Sequence, residues 1–327
     1  MLLPLLSELD DHDLHELQIV TAARVVDHRY PQADPSQPLL IADCDQAQMG
    51  DLLDRLRLLY PESQSVTIIS KADSRELPLG EVGREALSSA ITALLVWPLE
   101  RPATFCALQD IVARLRAPDG CPWDRELTWS KLRTSLLEEA HELLAALDEE
   151  NAAEISEELG DLLLQIALLV QIGIEQGSFR LVEVIDGIVT KLIRRHPHVF
   201  GGARVESTEE VLSNWEAIKR SEREINGSAR SPLAGVPAGL PALACAQAYL
   251  DRMARLGPVP APETLMDALT PLLGSEPITE DSVGEALRSL VAWIRQQGID
   301  AESALRLNNH RFAAQVLASE SAEPSIV

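Results

Sequence analysis

Three short apolar runs, PLLIAD at 38–43, SVTIIS at 65–70 and ALLVWPL at 93–99, punctuate the first hundred residues, with a helix-periodic stretch from Gln46 to Leu59 between the first two. Short aliphatic and β-branched runs bounded by turn formers are strand signals, so residues 1–102 read as a small α/β module. From Thr104 the pattern becomes helical and stays so. ATFCALQDIVARLRA is amphipathic and stops at Pro118-Asp119-Gly120. Lys131–Leu147 and Ala152–Gln176 follow, joined only by Asp148–Asn151, which makes them antiparallel neighbours in an αα-hairpin. A fourth helix, Leu181–Arg195, ends where Pro197 forbids continuation, and a fifth runs over 208–224. NGSARSPLAGVPAGLP at 226–241 has linker composition. Residues 242 to about 318 are helical again, and the tail SESAEPSIV is expected to fray. The fold class is therefore mainly α. A helical bundle over 103–225 follows the α/β module, and a second helical unit occupies 242–327.

The net charge of −23 changes the functional picture. A polyanionic surface repels phosphodiester backbones and anionic lipid, which speaks against nucleic acid and membranes as partners. An aromatic content of 4% leaves little for base-stacking platforms. No apolar run is long enough to span a bilayer, and the first residues lack a basic segment before their apolar stretch, so a cytoplasmic protein is expected. Cys44, Cys106, Cys121 and Cys245 form no CxxC pair; they are expected to be small buried apolar residues.

The acids are not spread evenly. Residues 134–179 contain eleven of them and not one Lys or Arg. Solvated helices usually interleave acids with bases at i, i+4, because like charges at that spacing repel. Here Glu139 and Glu142 are i, i+3 neighbours, with Glu138 at i−4 from Glu142, and on the second helix Glu158 and Asp161 are again i, i+3. Both pairs border apolar positions, Leu136 and Leu143 on one helix and Ile155, Leu159, Leu162 and Ile166 on the other, that should face the core. An isolated pair of glutamates is ordinarily a solvated face. EExxE followed by ExxD in apolar flanks instead demands protonation or a cation. Two facing pairs offer four oxygen donors for a hard divalent ion, Mg²⁺ or Mn²⁺.

Residues 180–223 reverse the balance, with eight Lys or Arg against seven acids. Lys191, Arg194 and Arg195 lie at i, i+3, i+4 as a strip able to hold a triphosphate, although cations near a helix C-terminus also complement its dipole. Trp215 at helical spacing reads as core by its position alone. Trp123 and Trp129 are assigned to packing and to shaping the site entrance. His141, His196 and His198 receive no role.

The segments GCPWDRELTWSKLRTSLLEEAHELLAAL, EELGDLLLQIALLVQ, KLIRRHPHVFG and NWEAIKRSE, in that order, resemble the MazG family of nucleoside triphosphate pyrophosphohydrolases over 104–224. The resemblance implies an all-α bundle, assembled as a homodimer or higher homo-oligomer. It implies cleavage of an NTP or dNTP between the α and β phosphates to NMP and pyrophosphate, with Mg²⁺ as cofactor, in service of clearing the nucleotide pool. It places metal ligands on Glu139, Glu142, Glu158 and Asp161, a further motif carboxylate on Glu138, and phosphate or nucleotide contacts on Lys191, Arg195, Trp215 and Lys219. Glu138 is the candidate for orienting or deprotonating the attacking water.

The flanks resemble known pieces more weakly. HELQIVTAARVVDHRYPQADPSQPLLIADCDQAQMGDLLDRLRLLYPESQSVTII looks like the latter half of a tetrapyrrole methylase domain without the glycine-rich half, which points to a scaffold. PLAGVPAGLPALACAQAYLDRMARLG and SVGEALRSLVAWIRQQGIDAESALRLNNHRF resemble a second MazG unit with Ser282 and Glu285 at the ExxD positions; this copy is expected to be silent. Two other functions remain open. A metal-stabilised adaptor would need no cationic strip, and a di-iron bundle would build on Glu138-x-x-His141 but needs a second ExxH pair.

Overall fold

A computed structural model describes residues 16–70, 73–86, 91–101, 104–225, 236–237, 239–254, 257, 261–273 and 277–322. The chain divides into two compact units, one ending at Leu181 and one beginning at Val182. That boundary falls within the 103–225 segment, between the acidic hairpin and the cationic helices.

The first unit opens with a five-stranded sheet of order β1-β2-β5-β3-β4, built from β1 (Gln18–Thr21), β2 (Leu39–Ala42), β3 (Ser65–Ser70), β4 (Ser74–Pro78) and β5 (Ile91–Val96). β1 pairs parallel to β2 and every other pairing is antiparallel. Alternation along the inner strands sorts their side chains to two faces. Leu39, Ile41, Val66, Ile68, Leu94 and Val96 join a core with three helices, α1 (Ala22–Asp27), α2 (Met49–Leu56) and α3 (Leu79–Ala86), while Leu40, Ile69, Ala93 and Leu95 cluster on the other face. The three apolar runs are strands as the sequence predicts, and the helix placed over 46–59 is α2. β1, β4, α1 and α3 are additions that the apolar pattern does not announce.

The helical part of this unit comprises α4 (Phe105–Leu115), the short α5 (Pro122–Arg125), α6 (Leu132–Asp148) and α7 (Ala152–Glu175). Val112 of α4, Leu132 of α6 and Ala167, Leu168 and Ile172 of α7 form its core. Arg116, with its side chain 5% exposed, grips Glu175 through two bonds of 2.9 and 2.7 Å and also donates to the carbonyls of Asp124 and Leu127. That fork ties the loop after α4 to the end of α7 and holds the Glu175 carboxyl below its ordinary range.

The turn between α6 and α7 fixes their register. The Asn151 N–H donates to Ala146 O (3.1 Å) and the Glu150 N–H to Leu147 O (3.3 Å), a Schellman closure with Glu150 at φ 53° in the left-handed region. Asn151 then caps α7, its side-chain oxygen accepting from the N–H groups of Ala153 and Glu154. The expected hairpin is thus present. Its apolar surface exceeds what two helices can cover, however, and Leu159 and Ile166, expected to face the core, are exposed.

The second unit holds α8 (Leu181–Arg195, its first residue belonging to the first unit), α9 (Pro197–Phe200), α10 (Thr208–Ile225), α11 (Ala242–Ala254), α12 (Leu265–Leu273), α13 (Glu280–Gln296) and α14 (Ala301–Ala322). Leu250, Val291, Ala292 and Ala301 are its buried core. α14 runs on to Ala322, past the point where fraying was expected, and residues 323–327 lie outside the described residues, as does most of the 226–241 linker. The cysteines are not buried as expected. Cys106 is exposed and the other three are half-buried, with burial pushing the Cys44 thiol up to about 12.

Candidate functional site

The hairpin brings three of the predicted ligands together. A carboxylate oxygen from each of Glu139 on α6 and Glu158 and Asp161 on α7 can be chosen so that all lie within 4.8 Å of one another, and all three residues are half-buried. Facing positions arise from the tight turn, and the i, i+3 spacing puts Glu158 and Asp161 on one side of α7. The Glu158 Oε2 is buried and has no hydrogen-bond partner among the described residues. Burial raises the Glu139 carboxyl above its ordinary pKa, followed by the charges of Asp161 and Glu142; burial likewise raises Glu158, followed by Glu142 and Asp161. Three carboxylates with no basic partner among the described residues, one buried oxygen left unpaired there and a donor set made only of oxygen are the arrangement a hard divalent cation satisfies.

Glu142 and Glu138 stand apart. Both are exposed on α6 and outside the three-residue cluster, although the charge of Glu142 reaches Glu139 and Glu158 and that of Glu138 reaches Glu139. His141 is also exposed, and the cluster contains no histidine, so the Glu138-x-x-His141 pair does not build the di-iron pattern.

Sequence reasoning missed Gln165. This α7 residue is buried at 6% exposure and its Nε2 donates to Glu139 Oε1 at 3.5 Å. A glutamine inside LLLQIALL is an ordinary solvent-side position for a helix, and only the packing reveals otherwise.

In the second unit Arg194 and Arg195 are held by an acid to which the sequence reading gave no role. Glu222 on α10 binds Arg194 and Arg195 of α8 with closest contacts of 2.6 Å to each, and the Arg195 contact lowers its carboxyl to about 2. Lys219 Nζ lies 4.3 Å from the centre of the half-buried Trp215 ring, and the Arg195 guanidinium carbon 5.7 Å from it. Cations thus sit against that ring. Lys219 also pairs with Glu216 at 3.2 Å, and Lys191 is exposed.

The two tryptophans assigned to packing, Trp123 and Trp129, divide. Trp129 is stacked on Phe179 with ring centres 6.1 Å apart and donates from Nε1 to the Leu169 carbonyl, yet stays 37% exposed. Trp123 does not pack: it is 71% exposed on a four-residue helix that buries nothing.

Residues 127–200 match the family model of the MazG nucleotide pyrophosphohydrolase domain. A nucleoside triphosphate pyrophosphohydrolase of Escherichia coli (strain K12) is 36% identical over 219 residues, covering 63% of this chain and 82% of that protein. The chain belongs to the MazG family. An uncharacterized protein of Bacillus subtilis (strain 168), YabN, is 39% identical over 208 residues, or 61% of this chain, and the match spans only 42% of YabN. The crystal structure of a mazG-related protein from Thermotoga maritima aligns over 35% of this chain and 96% of its own, at 26% identity and a TM-score of 0.31. The stretch matched by the MazG model contains the whole acidic hairpin and α8, the helix that carries Lys191, Arg194 and Arg195.

No helix among the described residues is long and apolar enough to cross a membrane.

Proposed function

We propose that this chain is a divalent-cation-dependent nucleoside triphosphate pyrophosphohydrolase, releasing a nucleoside monophosphate and pyrophosphate from an NTP or dNTP and so serving to clear the nucleotide pool. The observation that carries the reading is the convergence of Glu139, Glu158 and Asp161 with a buried, unpartnered Glu158 oxygen. These three residues would hold Mg²⁺ or Mn²⁺, with Glu142 as a fourth ligand from the same face of α6. Bound there, the cation would supply charge neutralisation for phosphate oxygens and a more acidic water. Glu138, exposed beside the cluster, orients the attacking water and takes its proton at the carboxylate. Arg194 and Arg195 already hold the two oxygens of a carboxylate, and that donor geometry equally suits a phosphate. By the resemblance to the MazG family, Lys191, Arg195, Trp215 and Lys219 are the residues assigned to phosphate and nucleotide contacts.

The same reading includes self-association, because α8 exposes Val182, Ile185, Ile188, Val189, Leu192 and Ile193 in the single chain. The N-terminal module is read as a scaffold. The second helical unit is read as silent, since Ser282, at the position of the first ExxD acid, is spent on a capping box with Thr279.

The test is incubation of the full chain with single NTPs and dNTPs plus Mg²⁺, measuring pyrophosphate against orthophosphate. Pyrophosphate release is expected; orthophosphate, or no turnover with any nucleotide, overturns the assignment.

A further inference from the structure

Gln165 is an uncharged amide in one of the least accessible places of the hairpin, and neither half of it is well satisfied. Its Nε2 reaches Glu139 Oε1 only at 3.5 Å, the outer limit of a hydrogen bond, and its Oε1 is buried without a partner among the described residues. The neighbouring buried positions on α7, Ala167, Leu168, Val170 and Ile172, are apolar. A leucine or methionine at 165 would fit such surroundings without leaving a polar atom unpaired, so the amide costs stability where it stands. Its place relative to the acids is specific: Glu158, Asp161 and Gln165 follow one another at i, i+3, i+7 on one face of α7, and the amide bonds the one cluster acid that comes from α6.

A side-chain amide donates from one end and accepts at the other within a single plane. The donor half suits an ionised Glu139. The acceptor half is buried with no partner among the described residues, and a water carried in with the cation would supply the missing donor, since divalent ions of this kind retain water. We propose that Gln165 is the positioning residue of the cation site: Nε2 fixes the Glu139 carboxylate in its ligand orientation, and Oε1 accepts a hydrogen bond from a water in the hydration shell of the ion. This rests on the reading of Glu139, Glu158 and Asp161 as ligands, and it adds a residue outside the EExxE and ExxD motifs. Outer partners of this type set ligand orientation and commonly change metal affinity by about 10–100-fold.

The experiment is titration of the full chain with Mn²⁺ alone, followed by electron paramagnetic resonance, alongside the melting temperature without metal. Four proteins are compared: the unaltered chain, Gln165→Met, Gln165→Leu and Glu158→Gln. The expected result is Mn²⁺ binding by the unaltered chain, loss of it in Glu158→Gln, and a Kd raised about 10–100-fold in both Gln165 variants. Their metal-free melting temperatures should equal or exceed that of the unaltered chain, which a merely structural glutamine would not allow. A Gln165→Met variant that folds and binds Mn²⁺ as tightly as the unaltered chain overturns the proposal and leaves the ligand reading intact. Absence of Mn²⁺ binding in the unaltered chain overturns both. Should one Gln165 variant fail to fold, the other carries the test, and a metal-free melting temperature lowered in both overturns the positioning role.

Discussion

Glu222 and Arg195 form a two-point ion pair, with Oε2 2.6 Å from Nη2 and Oε1 3.2 Å from Nε, and the same Oε1 also accepts from Arg194. The side chains are mostly shielded, at 13% and 18% exposure. The Glu222 carboxyl is held at about 2 against an ordinary 4.5, so its charge is favoured in the folded chain. Stability from this contact is therefore complete above about pH 4.5 and is lost as the pH falls toward 2. Glu222→Gln should cost about 1.5–3 kcal/mol at neutral pH, the range for hydrogen bonds to charged groups. Urea unfolding across the acid range should show the difference shrinking to nothing near the lower limit; a constant difference would mean the charge is not its source.

The acid cluster of the hairpin should behave in the opposite sense. Glu139 and Glu158 are each raised by burial and by neighbouring carboxylates, so without metal their ionised forms oppose folding. Glu158→Gln should raise the melting temperature of the metal-free chain. Added Mg²⁺ or Mn²⁺ should raise that of the unaltered chain, by about 2.7 kcal/mol of stability at a hundredfold excess over Kd, and leave the variant almost unmoved. Chelator should reverse the gain. Scanning calorimetry with and without metal makes the comparison, and an equal gain in both chains would place the cation elsewhere.

Glu150 occupies a left-handed position that glycine fills without strain, at φ 53° in the turn that sets the hairpin register. It also puts a negative charge at the carbonyl end of α6. Glu150→Gly should stabilise the chain by about 0.5–1 kcal/mol, the relief of strain and charge exceeding the added freedom of the unfolded state. Chemical denaturation at low salt measures it, and a destabilised variant would show that the left-handed turn is not strained by glutamate.

Gly173 is needed for a different reason, close approach. A Cβ there would lie 2.5 Å from the Phe179 ring, which is itself stacked on Trp129. Gly173→Ala must move the ring pair and should cost about 1–3 kcal/mol, with a changed near-ultraviolet dichroism from Trp129. An unaltered spectrum would show that the stack tolerates the methyl group.

What the chain disclosed in advance follows from the range of the forces involved. The hairpin and α8 were legible because their signals are local: a short polar connection at 148–151, a helix period and a stop at Pro197. β4 was not, because SRELP has no apolar alternation and becomes a strand only by pairing with β3. Glu139, Glu158 and Asp161 could be placed together from i, i+3 spacing and a short turn. Glu222 could not be matched to Arg194 and Arg195, since that contact joins two helices and no spacing rule reports it. Trp123 looked like a packing residue by type alone, and the short helix α5 leaves it exposed.

The two remaining α6 acids can be separated by what each variant loses. Glu142 lies outside the 4.8 Å cluster, yet its charge acts on both Glu139 and Glu158, as expected of a side chain able to turn inward as a ligand. Glu138 is one residue before Glu139 and its charge acts on that residue only weakly, the last of several influences. A ligand and a proton acceptor fail differently. Glu142→Gln should weaken Mn²⁺ binding and lower turnover with it, so that raising the metal concentration restores part of the rate. Glu138→Gln should leave the Mn²⁺ Kd unchanged and lower kcat by about 100-fold or more at saturating metal, as loss of a general base does. Metal-titrated pyrophosphate release distinguishes them: full turnover by Glu138→Gln would remove it from the water-activating role, and a metal-insensitive loss in Glu142→Gln would remove that residue from the ligand set.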